Sequence, residues 1–414
     1  MLTPFFALFS SCFILFLGIG LVNLLLPVRM HLDGMPTDSI GLVLSLYFVG
    51  MFIGAIYSKT LIARAGHIRM FSGCVSLSAM SILLCSLSSD LVLWGGMRIL
   101  LGFCCACAFT AMESWLSASS TKDTRGKILG VYNAIVWGGL FGGQFFMNIA
   151  SPETTTLFVV AGLLFCAAVI PVSLSRHQGP VITTVEPMGF STLLRVSPLG
   201  VVVCIASGFL YASLFSMLPI FAQSFGINGF QLSVYMGGAV VGGFMLQYPV
   251  GYLSDRFGRR SVLLVLLLIS IVASFIVTQL PLQEHFLMVL LLTAIAGGII
   301  ACTYPMSISQ VFDQLEQNEM IAAMGKLILA YSLGGALGPY STSVVMNVFG
   351  SQSLFYFLTA VQLILVVFVA YRMMIRDPLP IDEQEDFVMQ TAVITPPVQL
   401  DPRVEYVEQP TGEQ

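Results

Sequence analysis

The sequence predicts an all-α integral membrane protein, with twelve transmembrane helices arranged as two six-helix halves. Three observations predict this class: the composition, twelve long apolar stretches and a repeat between the halves. Hydrophobic residues make up 57% of the 414 residues and charged residues only 9%, whereas soluble domains carry about a quarter charged residues. Such a chain needs lipid as its outer solvent, because it has too few polar side chains to cover a water-exposed surface.

Twelve stretches are long enough to cross a bilayer, since about 20 apolar residues span roughly 30 Å of hydrocarbon. We interpret the first as a retained helix and not a signal peptide, because it has no basic leader and no clear cleavage site. In chain order the stretches cover residues 5–29, 38–62, 70–89, 91–117, 126–149, 155–174, 197–224, 230–253, 261–280, 285–311, 320–348 and 351–373.

The loops between these stretches have strongly biased charge. With the N-terminus placed inside, the inner loops and the end of the last helix hold fourteen Lys and Arg residues, whereas the outer loops hold only Arg29. Cytoplasmic loops of membrane proteins are enriched in these two residues. We therefore expect a multi-pass protein of the plasma membrane or bacterial inner membrane, with both termini in the cytoplasm.

Two short patterns recur between the halves. Arg64-Ala-Gly66 follows the second predicted helix, and Arg256-Phe-Gly258 follows the eighth, 192 positions later. A glycine-rich run, Gly138–Gly143, lies in the fifth helix and its counterpart, Gly334–Pro339, in the eleventh. Internal duplication of this kind is typical of transporters, in which two similar halves rock around a shared site at the bilayer midplane.

The repeat divides the chain into an N-terminal bundle, residues 1–174, and a C-terminal bundle, residues 197–376. Residues 175–196 form the predicted cytoplasmic linker between them. From position 377 onward the chain holds nine acidic residues and one basic residue and is rich in Pro and Gln. This composition predicts a disordered, solvated acidic tail over residues 377–414 on the cytoplasmic side.

The loop after the eighth predicted helix carries a ten-residue signature, Gly251-Tyr-Leu-Ser-Asp255-Arg256-Phe-Gly258-Arg259-Arg260. Gly251 allows two helices to approach closely, and Gly258 can adopt the positive φ of a sharp turn. Asp255 can accept hydrogen bonds from the backbone amides of a helix N-terminus, or it can form an ion pair with an arginine. Such a charge pair at the membrane edge is either a latch that breaks and reforms or a static clip.

This signature resembles the cytoplasmic loop motif G-x-x-x-D-R-x-G-R-R/K of the major facilitator superfamily, and Arg98 with Gly102 resembles the R-x-x-x-G motif of its fourth helix. The resemblance covers roughly residues 5–375 and points to an uncharacterised bacterial branch near the drug-exporter-like members. It implies the major facilitator fold. Two positions depart from the family pattern: Ala63 replaces the acid of the N-terminal loop motif, and Gly143 replaces the proline of the G-x-x-x-G-P motif in the fifth helix.

Taken with the repeat, the resemblance predicts a cytoplasmic gate and a set of helix hinge or packing residues. The gate comprises Arg64, Gly66, Gly251, Asp255, Arg256, Gly258, Arg259 and Arg260. The hinge or packing residues are Gly138, Gly142, Gly334, Gly338 and Pro339, because glycine permits close backbone contact between membrane helices.

Only Arg98 and Glu113 are charged and lie well inside the hydrocarbon, both on the fourth helix and roughly 22 Å apart along its axis. Such residues are functional candidates by default. Arg98 can attract an anionic group of the solute or hold a neighbouring helix. Glu113 either joins a structural charge network with Arg64 or Arg69, or carries a proton, since burial favours the neutral carboxyl.

A mostly apolar solute pocket uses a few polar and aromatic side chains. Each candidate of this type is also compatible with helix packing, and we expect about half of them to line the cavity. They are Asn23, Tyr47, Asn133, Trp137, Gln144, Tyr211, Gln247, Thr303, Tyr304 and Tyr331.

The sequence argues against the main alternatives to transport. The four histidines lie in or beside loops and the cysteines have no paired spacing, so we predict neither an enzyme site nor a metal or other cofactor. No phosphate-binding loop for ATP and no ring of charges for a channel is visible.

We predict a monomeric secondary active transporter that exports a small solute in exchange for protons by alternating access. The lipid bilayer is an expected partner, and nucleic acid is not. The alternatives are uptake of a small anionic metabolite and a non-transporting sensor on a transporter scaffold.

Overall fold

The computed structural model describes residues 5–118, 120, 122–174, 188–375, 379–390 and 401–403. Every regular element within these residues is a helix. Two 3₁₀ turns, at 146–148 and 381–383, accompany fourteen α-helices. The α-helices are α1 (Phe6–Leu32), α2 (Thr37–Ala65), α3 (His67–Cys85), α4 (Leu91–Ala118), α5 (Lys122–Phe145), α6 (Thr156–Ser173), α7 (Phe190–Val196), α8 (Pro198–Ser224), α9 (Gly229–Met245), α10 (Gln247–Phe257), α11 (Arg259–Gln279), α12 (Phe286–Phe312), α13 (Gln317–Phe349) and α14 (Ser353–Ile375).

The predicted all-α fold of twelve transmembrane helices is confirmed. Among the described residues, eleven spans are long and apolar enough to cross a bilayer, one of them formed by α9 and α10 together. Helix α5 is the twelfth. Its 24 residues reach about 36 Å, and its mean hydropathy is lowered by the charged residues of its first two turns. Helix α7 is a short helix that precedes the second half.

The outside of the bundle is apolar. Large aliphatic side chains such as Leu163, Val272 and Ile364 expose more than half of their surface. A soluble monomer rarely exposes so many apolar side chains together. Lipid is the solvent that suits this surface.

Successive spans run antiparallel, so the bundle has two distinct ends. We call the end at which α1 begins and α14 ends the terminal face, and the other end the distal face. The hydroxyls of Ser72 and Ser173, 3.4 Å apart, join the start of α3 to the end of α6 at the terminal face. At the distal face, the Gln279 amide donates to the Tyr356 hydroxyl over 3.1 Å and joins α11 to α14.

Glycines set two close helix crossings in the N-terminal half. A Cβ at Gly143 of α5 would overlap the backbone of Leu17 and Gly20 on α1. A Cβ at Gly102 of α4 would overlap the carbonyl of Tyr47 on α2. Backbones approach this closely only where small residues line the crossing.

The C-terminal half repeats both crossings. Gly334 of α13 lies against the carbonyl of Ile205 on α8, and Gly298 of α12 lies against that of Gly242 on α9. The α8–α13 pair corresponds to α1–α5, and the α9–α12 pair to α2–α4. Glycines therefore build similar close packing at corresponding helix crossings of both halves, although Gly334 aligns with Gly138 and not with Gly143 in the sequence repeat.

In α5 the glycines in close contact with the backbone of α1 lie one residue after the predicted ones. Gly139 and Gly143 contact α1 through backbone atoms, whereas Gly138 and Gly142 meet only the side chains of Phe13 and Leu17. In α13 the predicted residues Gly334 and Gly338 do lie at the crossing with α8. The sequence could not choose between adjacent glycines, because which face of α5 meets α1 depends on the rotation of the helix in the bundle.

The two halves contact each other toward the distal face. The Asn148 amide donates to the Ser233 hydroxyl over 2.9 Å, and the Tyr340 amide donates to the Ser45 hydroxyl over 2.9 Å. These contacts join the distal parts of α5 and α9, and of α2 and α13. Pro339 lies beside the latter pair, where its carbonyl faces Gly41.

Part of the acidic tail lies between the halves at the terminal face. Residues 379–390 and 401–403 make hydrogen bonds to α5, α10, α11 and α12. These two segments differ from the predicted solvated tail because their polar groups find partners in the bundle. The other tail residues, and the linker residues 175–187, lie outside the described residues, while residues 190–196 of the linker form α7.

Candidate solute-binding cavity

A cavity lies between the two halves, distal to the tail segments. Its volume is about 60 Å³. Helices α1, α2, α4 and α5 contribute from one half, and α8 and α9 from the other. The lining residues are Asn23, Leu44, Tyr47, Phe48, Arg98, Leu140, Gln144, Tyr211, Ala212, Phe215, Ser216, Met236 and Val240.

Arg98 supplies the only formal charge among these lining residues. Its side chain is 4% exposed, and its guanidinium carbon lies 4.7 Å from the centroid of the Tyr47 ring. Within the described residues, its Nε and Nη1 atoms have no hydrogen-bond partner. The titratable groups that act on it electrostatically are Tyr47, Cys85 and Cys105, none of them a carboxylate. A buried cation without a counter-ion is costly, so this site is electrostatically suited to an anion.

The glycine crossing of α2 and α4 places this charge. Gly102 lies against the carbonyl of Tyr47, and Gly50 lies against the carbonyl of Ile99. The two backbones therefore meet directly beside Arg98 and Tyr47. The arginine is held against the aromatic ring because the helices that carry the two side chains cannot separate without losing this packing.

The rest of the wall combines aromatic rings with a few amides. The Tyr211 and Phe215 rings stack with centroids 4.4 Å apart, and Tyr47 meets Phe48 edge-on at 5.3 Å. The Gln144 amide donates to the carbonyls of α1 and α5, while its Oε1 atom has no partner within the described residues. Rings and unpaired polar atoms together form a surface for an amphipathic solute.

Of the ten polar and aromatic candidates that the sequence predicts, the cavity brings together Asn23, Tyr47, Gln144 and Tyr211. The others have different surroundings. The Tyr304 and Tyr331 rings pack 4.7 Å apart, Thr303 donates to a carbonyl of its own helix, and Trp137 packs on Gly243. Asn133 and Gln247 donate to the tail.

Sequence reasoning missed several lining residues, among them Phe48, Phe215, Ser216 and Met236. Three of them are apolar and fit ordinary helix packing equally well, so the sequence carries no signal for them. Ser216 had a weak signal, as a hydroxyl five residues after Tyr211 on the same helix.

Glu113 lies outside this cavity. It is 4% exposed and accepts a hydrogen bond from the Tyr132 hydroxyl over 3.1 Å. It acts electrostatically on Tyr304 of the other half. Arg64 and Arg69 are exposed, and no ion pair in the described part of the chain joins either to Glu113. The charge network with these two arginines therefore stays a prediction.

In the C-terminal copy of the predicted gate, the buried Arg259 lies in a cluster with two carboxylates at the terminal face. Arg259 is 2% exposed; its Nη2 atom donates to Asp313 Oδ1 over 2.9 Å, and its Nη1 atom lies 3.6 Å from Asp255. Gly258 has the predicted positive φ of 80°. Asp313 was missed, because it lies just after α12, more than fifty positions from the signature.

The N-terminal copy of the gate is different. Gly66 has the same positive φ, 83°, but Arg64 is exposed and Ala63 offers no carboxylate. In the C-terminal copy Arg256 is also exposed, and it donates to the Tyr252 hydroxyl over 3.0 Å. Arg260 is buried. Within the described residues, then, only the C-terminal copy has an acid–arginine cluster.

Comparison with known proteins identifies the family. The profile of the Major Facilitator Superfamily matches residues 8–246 and, in a second match, residues 201–400. The chain belongs to the major facilitator superfamily. The uncharacterised MFS-type transporter YcaD of Escherichia fergusonii is 28% identical over 363 residues, which cover 87% of this chain and 94% of that protein.

Further relatives agree with this assignment. An uncharacterised MFS-type transporter of Yersinia pestis is 28% identical over 381 residues, covering 91% of this chain and 96% of that protein. Among solved structures, a variant of the nucleoside transporter NupG has a TM-score of 0.77 at 13% identity, covering 90% of this chain and all of that one. As a major facilitator superfamily member, the protein is a multi-pass secondary transporter of a small-molecule substrate, and not an enzyme.

Proposed function

We propose that this protein transports a small amphipathic organic anion, bound at Arg98 in the cavity between the halves. The supporting observation is the buried guanidinium whose Nε and Nη1 atoms lack partners within the described residues. An anionic group placed there would gain charge-assisted hydrogen bonds, which are stronger than neutral ones. It would also neutralise a charge in a medium of low dielectric constant.

The cavity wall favours a solute with an apolar or aromatic body. Tyr211 and Phe215 offer a stacked aromatic surface, and Asn23 and Gln144 offer amide groups beside it. A carboxylate directed at Arg98 and a ring packed on these aromatic side chains would use both parts of the wall. This proposal develops the anionic alternative raised by the sequence.

The terminal face is cytoplasmic in this proposal, because the basic loop residues predicted to be cytoplasmic cluster there. The halves meet toward the distal face, so the bundle has an inward-facing arrangement. Alternating access then requires the α2–α13 and α5–α9 contacts to open while the terminal face closes. The protein would lie in the plasma membrane or bacterial inner membrane as a monomer.

Proton coupling is the second part of the proposal, with Glu113 as the carrier. Its carboxyl is buried, and the Tyr132 hydroxyl donates a hydrogen bond that holds it in place. A carboxyl whose access to water changes as the halves rock can take up a proton on one side and release it on the other. Export in exchange for protons remains a prediction from the sequence.

The test begins with a thermal-shift screen of purified protein against aromatic and aliphatic carboxylates and their uncharged amides. We expect carboxylates to stabilise the wild type and the amides to have little effect. Arg98→Gln should lower the affinity for the best carboxylate by roughly 10- to 100-fold, since hydrogen bonds to a charged group contribute about 1.5–3 kcal/mol. Arg69→Gln, at an exposed arginine, is the matched control.

Flux in proteoliposomes then tests transport itself. If the carboxylate is exchanged for protons, acid on one side should drive the labelled carboxylate toward that side. If it moves together with protons, it should move to the opposite side. The assay therefore also reports the direction of transport. Equal affinity and equal flux in wild type and Arg98→Gln would reject the proposed anion site.

A further inference from the structure

Two segments of the acidic tail contact the bundle at the terminal face. We propose that residues 379–390 and 401–403, here called the plug, form an autoinhibitory element that occupies the cytoplasmic opening between the halves and must leave before a transport cycle. The proposal does not depend on the nature of the solute. Three sets of contacts support it.

The outer part of the plug binds the gate cluster. The Phe387 amide donates to both carboxylate oxygens of Asp255, over 3.0 and 3.2 Å, and the Phe387 ring lies directly against Gly251. The Glu385 amide donates to Asp313 Oδ1 over 3.1 Å, and the Glu385 carbonyl accepts from Arg259. Two residues of the plug thus engage the same charged groups that form the gate of the C-terminal half.

The middle part of the plug spans the two halves. The Met389 carbonyl accepts from the amide of Asn133 on α5 over 2.8 Å. The next carbonyl, that of Gln390, accepts from the amide of Gln247 on α10 over 3.0 Å. Two consecutive carbonyls therefore bind one polar side chain from each half. The sequence predicts both of these side chains, Asn133 and Gln247, as candidates for solute contact.

The last part of the plug, residues 401–403, is anchored by a buried ion pair of its own. Arg403 Nη2 lies 2.6 Å from Asp401 Oδ2, and both side chains are nearly inaccessible. The guanidinium also donates to the hydroxyl of Ser309 over 3.1 Å and lies 4.7 Å from the Phe312 ring centroid. Asp401 accepts from the Gln390 side chain over 2.9 Å, which ties residues 401–403 to the middle part.

These contacts have two consequences for the transport cycle. A solute entering from the terminal face would meet the plug before the cavity, because the plug takes up Asn133 and Gln247. The halves also cannot close at this face while a chain segment lies between α5 and α10. Release is feasible because most of the contacts are hydrogen bonds that water can replace, and the plug residues carry several acidic groups that favour the aqueous phase.

The experiment measures access to a buried position beneath the plug without any solute. Ser309→Cys places a thiol under Arg403, and a charged, membrane-impermeant maleimide is added to the cytoplasmic side of inside-out vesicles. We expect slow labelling when the rest of the chain is wild type. Adding Phe387→Ala or Arg403→Ala should accelerate labelling at least tenfold, whereas Ile381→Ala, at an exposed side chain of the same segment, should leave it unchanged. The chain without Ser309→Cys gives the background from native thiols.

A second reporter tests the effect on conformation. Ser45→Cys lies at the distal contact between the halves, so its labelling from the outer side reports distal opening. Release of the plug by Phe387→Ala should allow the terminal face to close and should raise this rate several-fold. Unchanged labelling of Ser309→Cys in both plug variants would overturn the proposal. Faster labelling of Ser309→Cys without a change at Ser45→Cys would overturn the autoinhibitory role. The plug would then fill the opening without controlling the conformation of the halves.

Discussion

Arg98 and Glu113 are carried by the same helix but have different surroundings. Arg98 faces an open cavity beside an aromatic ring, whereas Glu113 is packed against Tyr132 away from that cavity. Both charges would be costly in a lipid interior unless they had a function or a partner. The difference suits the roles proposed for them, solute binding for the arginine and proton carriage for the carboxyl.

Replacing Glu113 by Gln tests proton carriage at the level of one residue. Glutamine has the shape of the protonated carboxyl but cannot exchange a proton. We expect solute exchange across the membrane to persist and accumulation driven by a pH gradient to fall at least tenfold. Flux measured with and without the gradient checks this, and Glu284→Gln, at an exposed distal carboxylate, is the matched control.

Full gradient-driven accumulation in Glu113→Gln would remove Glu113 from the coupling mechanism. Loss of both exchange and accumulation would indicate a structural role. In that event Tyr132→Phe, which removes only the hydrogen bond, should show the same loss.

The placement of glycines decides how closely neighbouring helices pack. Gly334 and Gly325 both lie on α13, yet a Cβ at Gly334 would overlap the carbonyl of Ile205, whereas a Cβ at Gly325 would meet nothing within 4 Å. The same residue type is therefore required at one position and merely tolerated at the other. Sequence alone cannot separate the two cases, because the difference lies in the neighbouring helix.

The matched pair Gly334→Ala and Gly325→Ala tests this interpretation. Gly334→Ala should destabilise the bundle by about 1–3 kcal/mol, as overpacking does, and lower the melting temperature in detergent. Gly325→Ala should raise stability by about 0.5–1 kcal/mol, because alanine favours the helix more than glycine does. Equal melting temperatures for the two variants would contradict the close α8–α13 crossing.

At the scale of the whole molecule, the distal contacts hold the two halves in one arrangement. Asn148 and Ser233 join the 3₁₀ turn after α5 to α9 across the boundary between the halves. Ser72 and Ser173 join α3 to α6 within the N-terminal half. A covalent link at the first pair would prevent the halves from separating distally, whereas a link at the second pair would leave their relative motion free.

Cysteine pairs at these two places test alternating access. Cross-linking Asn148→Cys with Ser233→Cys by a short bis-thiol reagent with a reducible spacer should reduce flux at least tenfold, and a reductant should restore it. The pair Ser72→Cys with Ser173→Cys should cross-link with little loss of flux. Undiminished flux through the fully cross-linked distal pair would exclude opening at this face as a step of the cycle.

The sequence alone determined the membrane class, the twelve spans, the two-half repeat and Arg98 as a candidate, because hydropathy, basic loop residues and charge burial are local properties of the chain. Tertiary structure alone decided which glycines meet a neighbouring backbone, which polar residues share the cavity, and that Asp313 pairs with Arg259. It also decided the position of the tail segments, whose composition predicts solvation. These features depend on how helices rotate and pack, and on partners far away in the chain, so no local pattern encodes them.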